Sequence, residues 1–173
     1  AGAHIVNDVH GLQREPEIAG VIKSFNAGVC IMHTSRERDV LPDPVADQNL
    51  FFQSSLEIAK AYGIAAEAIM LDPGFGFGKS KEEDLQLMAR FSELLSLGYP
   101  LLVGTSRKRT LGALTGHQLA ADRDIATAAT SAVLRLAGAV VFRVHNVVAT
   151  RDALKVSDAI LAAKRDHLAG DMR

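Results

Sequence analysis

The chain has 173 residues, with 19 basic against 20 acidic side chains, a net charge of −1 and an ordinary globular composition. That length suffices for one domain with a real core, and the charge balance excludes a strong general affinity for nucleic acid or an anionic membrane surface. Cys30, flanked by apolar residues in "GVCIM", is the only cysteine, which excludes an internal disulfide; a buried structural thiol and a reducing, cytoplasmic setting are expected.

In chain order, "HIVNDV" reads as a strand over residues 4–9, followed by a helix over 16–26 with Pro16 in its first turn. "GVCIMH" is a second strand, 28–33. Residues 34–44 carry charges and two prolines and read as a loop before a helix over 47–62, whose Leu50, Phe51, Leu56, Ile58 and Ala59 fall mainly on one side. "AEAIMLD" is a third strand, 66–72. A strong helix is expected over 81–97, from Leu85, Met88, Ala89, Leu94 and Leu95. "PLLVGT" is a fourth strand, 100–105, and "SRKRTLGALTG" a basic loop with at most one helical turn. A helix over 122–137, the strand "AVVFRVHNV" and a helix over 149–168 complete the chain. Five βα units with apolar rather than alternating strands suit an α/β fold with a parallel sheet covered by helices. No transmembrane-length apolar run interrupts them.

In such a fold the strand ends share one face, where sites are found. They carry Asn7 and Asp8, then His33, Asp72, Ser106-Arg107-Lys108, and Arg143 with His145. Each has a bland alternative: a turn cap for an Asp, a satisfied core histidine for His33, a solvated turn for "SRKR". Arg143 is harder to set aside, since a guanidinium on a buried strand needs a carboxylate or an anion.

"DPGFGFGKS", residues 72–80, resembles a phosphate loop without being one. Pro73 stands where the P-loop needs its first glycine, and the dinucleotide pattern counted from Gly74 and Gly76 ends on Lys79. A physical reading is a carboxylate that holds two donors of a flat heterocycle, glycines that allow close approach, and Phe75 and Phe77 as aromatic surface. The alternative is a lid whose phenylalanines plug the core.

Together "IVNDV", "MH", "LDPGFGFGK", "GTSRK" and "RVHNV", in that order, resemble dihydropteroate synthase, a pterin-binding family. The resemblance covers nearly the whole chain. It implies a TIM (β/α)8 barrel, here a partial barrel of strands four to eight with their helices, so that residues 1–173 form the C-terminal part of one domain. It implies condensation of 6-hydroxymethyl-7,8-dihydropterin pyrophosphate with p-aminobenzoate to 7,8-dihydropteroate and pyrophosphate, with Mg²⁺ on the leaving group and its protein ligand outside this chain. A homodimer is also implied. Position by position, Asn7 and Asp72 would bind the pterin edge, and Met32 and Gly104 would wall its pocket. Lys108 would contact the pterin beside the aminobenzoate, and Arg143 would stack on the ring and with His145 hold pyrophosphate. Ser106 would meet the aminobenzoate carboxylate, and Phe77 would line its slot.

Three positions depart from the pattern. Asn146 stands where the family usually has Asp, Arg109 where Ser is common, and no glycine follows Met32-His33. Three other readings compete: a methyltetrahydrofolate-using methyltransferase barrel, a non-catalytic pterin-binding fragment, and a generic open α/β nucleotide binder. The broken phosphate-loop patterns argue against the last.

Overall fold

The computed structural model describes residues 2–170. Its elements are β1 (Ile5–Asp8), α1 (Ile18–Ser24), β2 (Gly28–Met32), α2 (Pro44–Ala61), β3 (Ile69–Asp72), α3 (Lys81–Ala89), β4 (Leu102–Val103), α4 (Arg109–Thr115), α5 (Asp124–Leu136), β5 (Val141–Phe142) and α6 (Val147–Gly170), with 3₁₀ turns at Ala66–Ala68, Phe91–Leu97 and Ala120–Arg123. β1, β2 and β3 pair in parallel in that order, with Asn7 opposite Cys30 and Met32 opposite Asp72. β4 and β5 form a second parallel pair. A single bridge, Leu71 to Leu101, with the Leu71 amide donating to the Pro100 carbonyl at 2.9 Å, joins the two sheets. All five strands therefore run side by side in sequence order and end on one face.

The core lies between this sheet and the helices, built on Val29, Ile31, Phe52, Leu71, Phe75, Leu87, Phe91, Leu94, Val103 and Leu134. The terminal strands are less covered than their apolar sequences suggest. Ile5 is 53% exposed and β5 only half-buried, because each has one neighbouring strand.

Several element boundaries differ from the sequence expectation, for local reasons. α2 begins three residues early, at Pro44, because the Asp43 side chain caps it, accepting from the Val45 and Ala46 amides, and proline fits the first turn. Leu50 is exposed, and the buried face of α2 is carried by Val45, Gln48, Phe51, Phe52, Ser55 and Ala59. The expected helix over 81–97 is two elements. α3 opens on a capping box between Ser80 and Glu83 and stops at Ala89; the following 3₁₀ turn buries Phe91 and Leu94, three apart as its tighter period requires. The basic loop holds two helical turns, α4, rather than one.

The Gly/Phe loop crosses the end of β2 at very short range. A Cβ on Gly74 would lie 1.9 Å from the His33 carbonyl oxygen, and Gly74 has φ +65°. Gly98 has a similar φ, +78°, with nothing within 4 Å. Gly98→Ala is therefore expected to cost about 1 kcal/mol, the left-handed penalty alone. Gly74→Ala is expected to cost more than about 3 kcal/mol, because backbone must move. Urea denaturation of the two variants checks the difference.

Candidate functional site

Arg143, just past β5, is the side chain around which the strand ends converge. Its Nη1 donates to Asn7 Oδ1 at 2.6 Å and its Nη2 to Asp72 Oδ2 at 2.8 Å. Residues 136 positions apart in sequence thus meet across the sheet. Asp72 is fully buried; its other oxygen accepts from the Gly74 amide at 2.8 Å. Gly104 leaves room for this arrangement, since a Cβ there would come 2.7 Å from Arg143 Nη2. Met32 is fully buried and pairs in register with Asp72.

The second half of the site comes from the loop after β4. Ser106 Oγ lies 2.9 Å from His145 Nδ1 and accepts from the His145 amide at 3.1 Å. Lys108 Nζ donates to the Phe75 carbonyl at 2.7 Å and stands 4.2 Å from the Phe77 ring centroid. Burial holds its pKa below the ordinary lysine value, against the pull of Asp72. Phe77, Gly104, Ser106, Lys108, Arg143, Val144 and His145 line a cleft of about 320 Å³. A larger hollow of about 560 Å³ shares Arg143 and Val144 but lies along β5 and α6, away from Ser106 and Lys108. Phe75 contributes nothing to the cleft: it is 1% exposed and belongs to the core, so of the two phenylalanines only Phe77 offers a ring face.

The other strand-end residues serve the fold. Asp8 caps its own turn, accepting from the His10 and Leu12 amides. His33 is buried against Phe51 and Phe52, with Nε2 2.8 Å from Asp47 Oδ2 and Nδ1 2.9 Å from Lys79 Nζ. A neutral ring that donates from Nε2 to Asp47 and accepts at Nδ1 from Lys79 satisfies these two contacts; Arg38 Nη2, 2.8 Å from the same Nε2, then bonds to Asp47 and not to the ring. Arg38 completes the pair with Asp47. Burial pushes the His33 pKa down to about 4 and that of Lys79 to about 8. Asp47 is held below the usual carboxylate range: burial acts upward, but hydrogen bonds from His33, Arg38 and the Leu41 amide outweigh it. Cys30 is the inert thiol its flanks suggest, with a pKa pushed up to about 12 by burial and then by Asp72.

Sequence reasoning missed the residues that hold the Gly/Phe loop. Asp84 is fully buried, accepts from the Gly76 amide at 2.9 Å and from the Thr110 hydroxyl at 2.5 Å, and so ties this loop to α4. Lys79 also donates to the Gly74 carbonyl, and Gln48 to the Pro73 carbonyl. One signal was available: Asp84 sits three residues before Leu87, on the apolar stripe of α3, where an acid needs a buried partner. Of the departures, Arg109 opens α4 with an exposed side chain and has no ion pair among the described residues. Asn146 caps α6, accepting from the Ala149 amide at 3.1 Å.

Comparison with known proteins bears on this geometry. Residues 1–145 match the family described as "Pterin binding enzyme". The chain belongs to that family. It is similar to the dihydropteroate synthase of Synechocystis sp., with 37% identity over 92% of this chain and 57% of that protein. Among solved structures it is similar to the dihydropteroate synthase of Xanthomonas albilineans in complex with 7,8-dihydropteroate, with 38% identity, a TM-score of 0.87, and coverage of 93% of this chain and 62% of the other. A second structure of the Xanthomonas enzyme, with 4-aminobenzoic acid, has the same identity and TM-score over 59% of its chain. The chain thus spans about 60% of the length of the relatives it matches. These neighbours place it among TIM-barrel-like α/β folds, of which the parallel, sequentially ordered strands are a part. The match to this family removes the generic nucleotide-binding alternative.

Buried neutral His33 sets a pH dependence. From its ordinary 6.5 down to about 4 the unfolded chain binds a proton that the folded chain excludes, so stability falls as pH drops through that window, by roughly 3 kcal/mol at most. The His33→Gln variant is expected to flatten the decline. Urea midpoints between pH 7 and 4.5 measure it, and an unchanged slope would place the proton elsewhere.

Proposed function

We propose that this chain is the substrate-gripping part of a dihydropteroate synthase, with strands four to eight of a (β/α)8 barrel. The reaction joins 6-hydroxymethyl-7,8-dihydropterin pyrophosphate and p-aminobenzoate into 7,8-dihydropteroate and pyrophosphate. The observation that carries this reading is the seat of Arg143. A guanidinium and the 2-amino-pyrimidinone edge of a pterin both present adjacent N–H donors in one plane. Asn7 Oδ1 and Asp72 Oδ2 accept such a pair at 2.6 and 2.8 Å, here from Arg143 itself. A pterin that takes those acceptors displaces the guanidinium, which is 45% exposed and has the stem length to rise onto the ring face.

The remaining groups suit the second half of the reaction. Phe77, Lys108 and Ser106 line one cleft, which is assigned to the aminobenzoate, with Phe77 offering ring surface and the Ser106 hydroxyl a partner for the carboxylate. The amine nitrogen attacks the exocyclic methylene carbon as its bond to the pyrophosphate oxygen breaks; the departing oxygen takes the electron pair, and the new secondary amine loses one proton to solvent. Negative charge grows on that oxygen, where Arg143, His145 and Lys108 face the same cleft. No protein nucleophile is needed; orientation of two planar substrates and charge stabilisation suffice.

The family resemblance adds Mg²⁺ on the leaving group. The resemblance puts the protein ligand of that ion outside this chain, and the lining of this cleft does not fit it: it carries no carboxylate, and its Lys108 and Arg143 only donate. Among the described residues no three His, Cys, Asp or Glu side chains stand together to hold a metal, and no step is routed through one. A homodimer through α5 and α6 is supported by the exposure of Ile125, Val133, Val156 and Ile160 on those helices. A cytoplasmic setting rests on the single buried thiol; no described helix is long and apolar enough to cross a membrane.

In the whole protein, Lys108→Ala and Arg143→Ala are each expected to lower turnover about a hundredfold or more with an unchanged circular dichroism spectrum. Pyrophosphate release that requires both substrates is the measurement. Wild-type turnover in either variant would overturn the site assignment.

A further inference from the structure

Of the three residues in Ser106-Arg107-Lys108, the middle one turns away from the cleft. Arg107 has φ +57°, a left-handed conformation that costs a side-chain-bearing residue about 1–2 kcal/mol. Its surroundings hold it there. Its amide donates to Thr127 Oγ1 at 3.1 Å, and its carbonyl accepts from Arg123 Nη1 at 2.9 Å. Its guanidinium makes a two-pronged pair with Asp124, Nε to Oδ1 at 2.7 Å and Nη2 to Oδ2 at 3.0 Å. The amide, carbonyl, Nε and Nη2 of Arg107 therefore all bond to Arg123, Asp124 and Thr127 at the start of α5 and the turn before it, while its neighbours Ser106 and Lys108 line the cleft.

Asp124 makes one more contact. Its Oδ2 also accepts from Asn146 Nδ2 at 3.0 Å. Asn146 follows His145 directly and caps α6 through its other side-chain atom. One carboxylate on α5 thus holds two separate chain segments, one bearing Ser106 and Lys108, the other bearing Arg143 and His145. On the cleft side, among the described residues, the side-chain hydrogen bonds between the same segments are those of Ser106 with His145. Asp124 lies behind them, absent from the cleft lining, with 22% of its side chain exposed.

We propose that Asp124 is a positioning residue, whose carboxylate clamps the loop after β4 to the segment after β5 so that Ser106, Lys108, Arg143 and His145 meet one anionic leaving group together. The ligand assignment rests on the dihydropteroate synthase reading; the clamp itself does not. The clamp depends on charge as well as shape. A two-pronged pair needs a carboxylate opposite the guanidinium, and Asn146 can share the acceptor because its amide donates.

The test uses Asp124→Asn, which keeps the size and removes the charge. In NMR-detected hydrogen exchange, the Arg107 and His145 amides are expected to exchange about tenfold faster, while the Gly76 amide, held by Asp84, keeps its rate. In calorimetry, affinity for inorganic pyrophosphate is expected to fall about fivefold or more, with affinity for 6-hydroxymethylpterin falling clearly less, because its Asn7 and Asp72 acceptors are untouched. Adding Asn146→Asp to that variant returns a carboxylate to the cluster beside Arg107 and is expected to recover most of both losses. A His145 amide that exchanges at the wild-type rate in Asp124→Asn would overturn the proposal. So would a pterin affinity that falls as far as the pyrophosphate affinity, or a double variant no better than the single one. Failure of the wild-type chain to bind pyrophosphate would count against the functional reading, and the exchange rates would still decide the clamp.

Discussion

A fully buried carboxylate, Asp72, stands where the five strands end, and both of its oxygens must find donors. One finds the Gly74 amide, which obliges the chain to turn back at once and makes glycine necessary against the His33 carbonyl. The other finds Arg143, which draws the segment after β5 toward β1 and brings Asn7 into the same fork. The tight loop, the empty space at Gly104 and the convergence of first and last strands all follow from satisfying this one group.

The loop that results is held from beneath by polar groups, of which Asp84 and Gln48 are as buried as the core around them and Lys79 is half-buried. Asp84 reaches both the Gly76 amide and Thr110, Lys79 reaches both His33 and the Gly74 carbonyl, and Gln48 reaches Pro73. Each pairs a donor with an acceptor on a different element, so the loop cannot shift without leaving a buried group unsatisfied. The groups facing the cleft are consequently carried on a rigid frame, although Phe77 itself is only half-buried. A rigid frame suits the proposed condensation, which would depend on orientation and fixed charge rather than on a protein nucleophile.

Much of the fold was legible because it depends on local pattern. The five βα units and their strand ends came from apolar runs broken by glycine and polar residues, and all five strands pair in parallel as those runs suggested. Where the reading failed, a non-local contact or a change of helical period was responsible. Phe75 and Phe77 alternate in sequence and look equivalent, yet one is core and the other faces the cleft. The break between α3 and its 3₁₀ continuation follows from burial of Phe91 and Leu94, not from any breaker residue.

The sequence by itself determined the residue types of the site and their order along the chain, because motifs such as "DPGFGFGK", "SRK" and "RVH" are short and each belongs to a single strand end. It also raised the expectation that Arg143 has a carboxylate partner, from the cost of burying a lone guanidinium; the partner is present, although the side chain is 45% exposed. Only the tertiary structure decided which partner. Asn7 and Asp72 lie 136 and 71 residues away from Arg143, and no local propensity links them. The tertiary structure also separated Lys108, which enters the cleft, from Arg107, which is turned away from it. That division arises from one left-handed residue and a carboxylate 17 positions later, a contact that exists only once α5 has packed behind the loop.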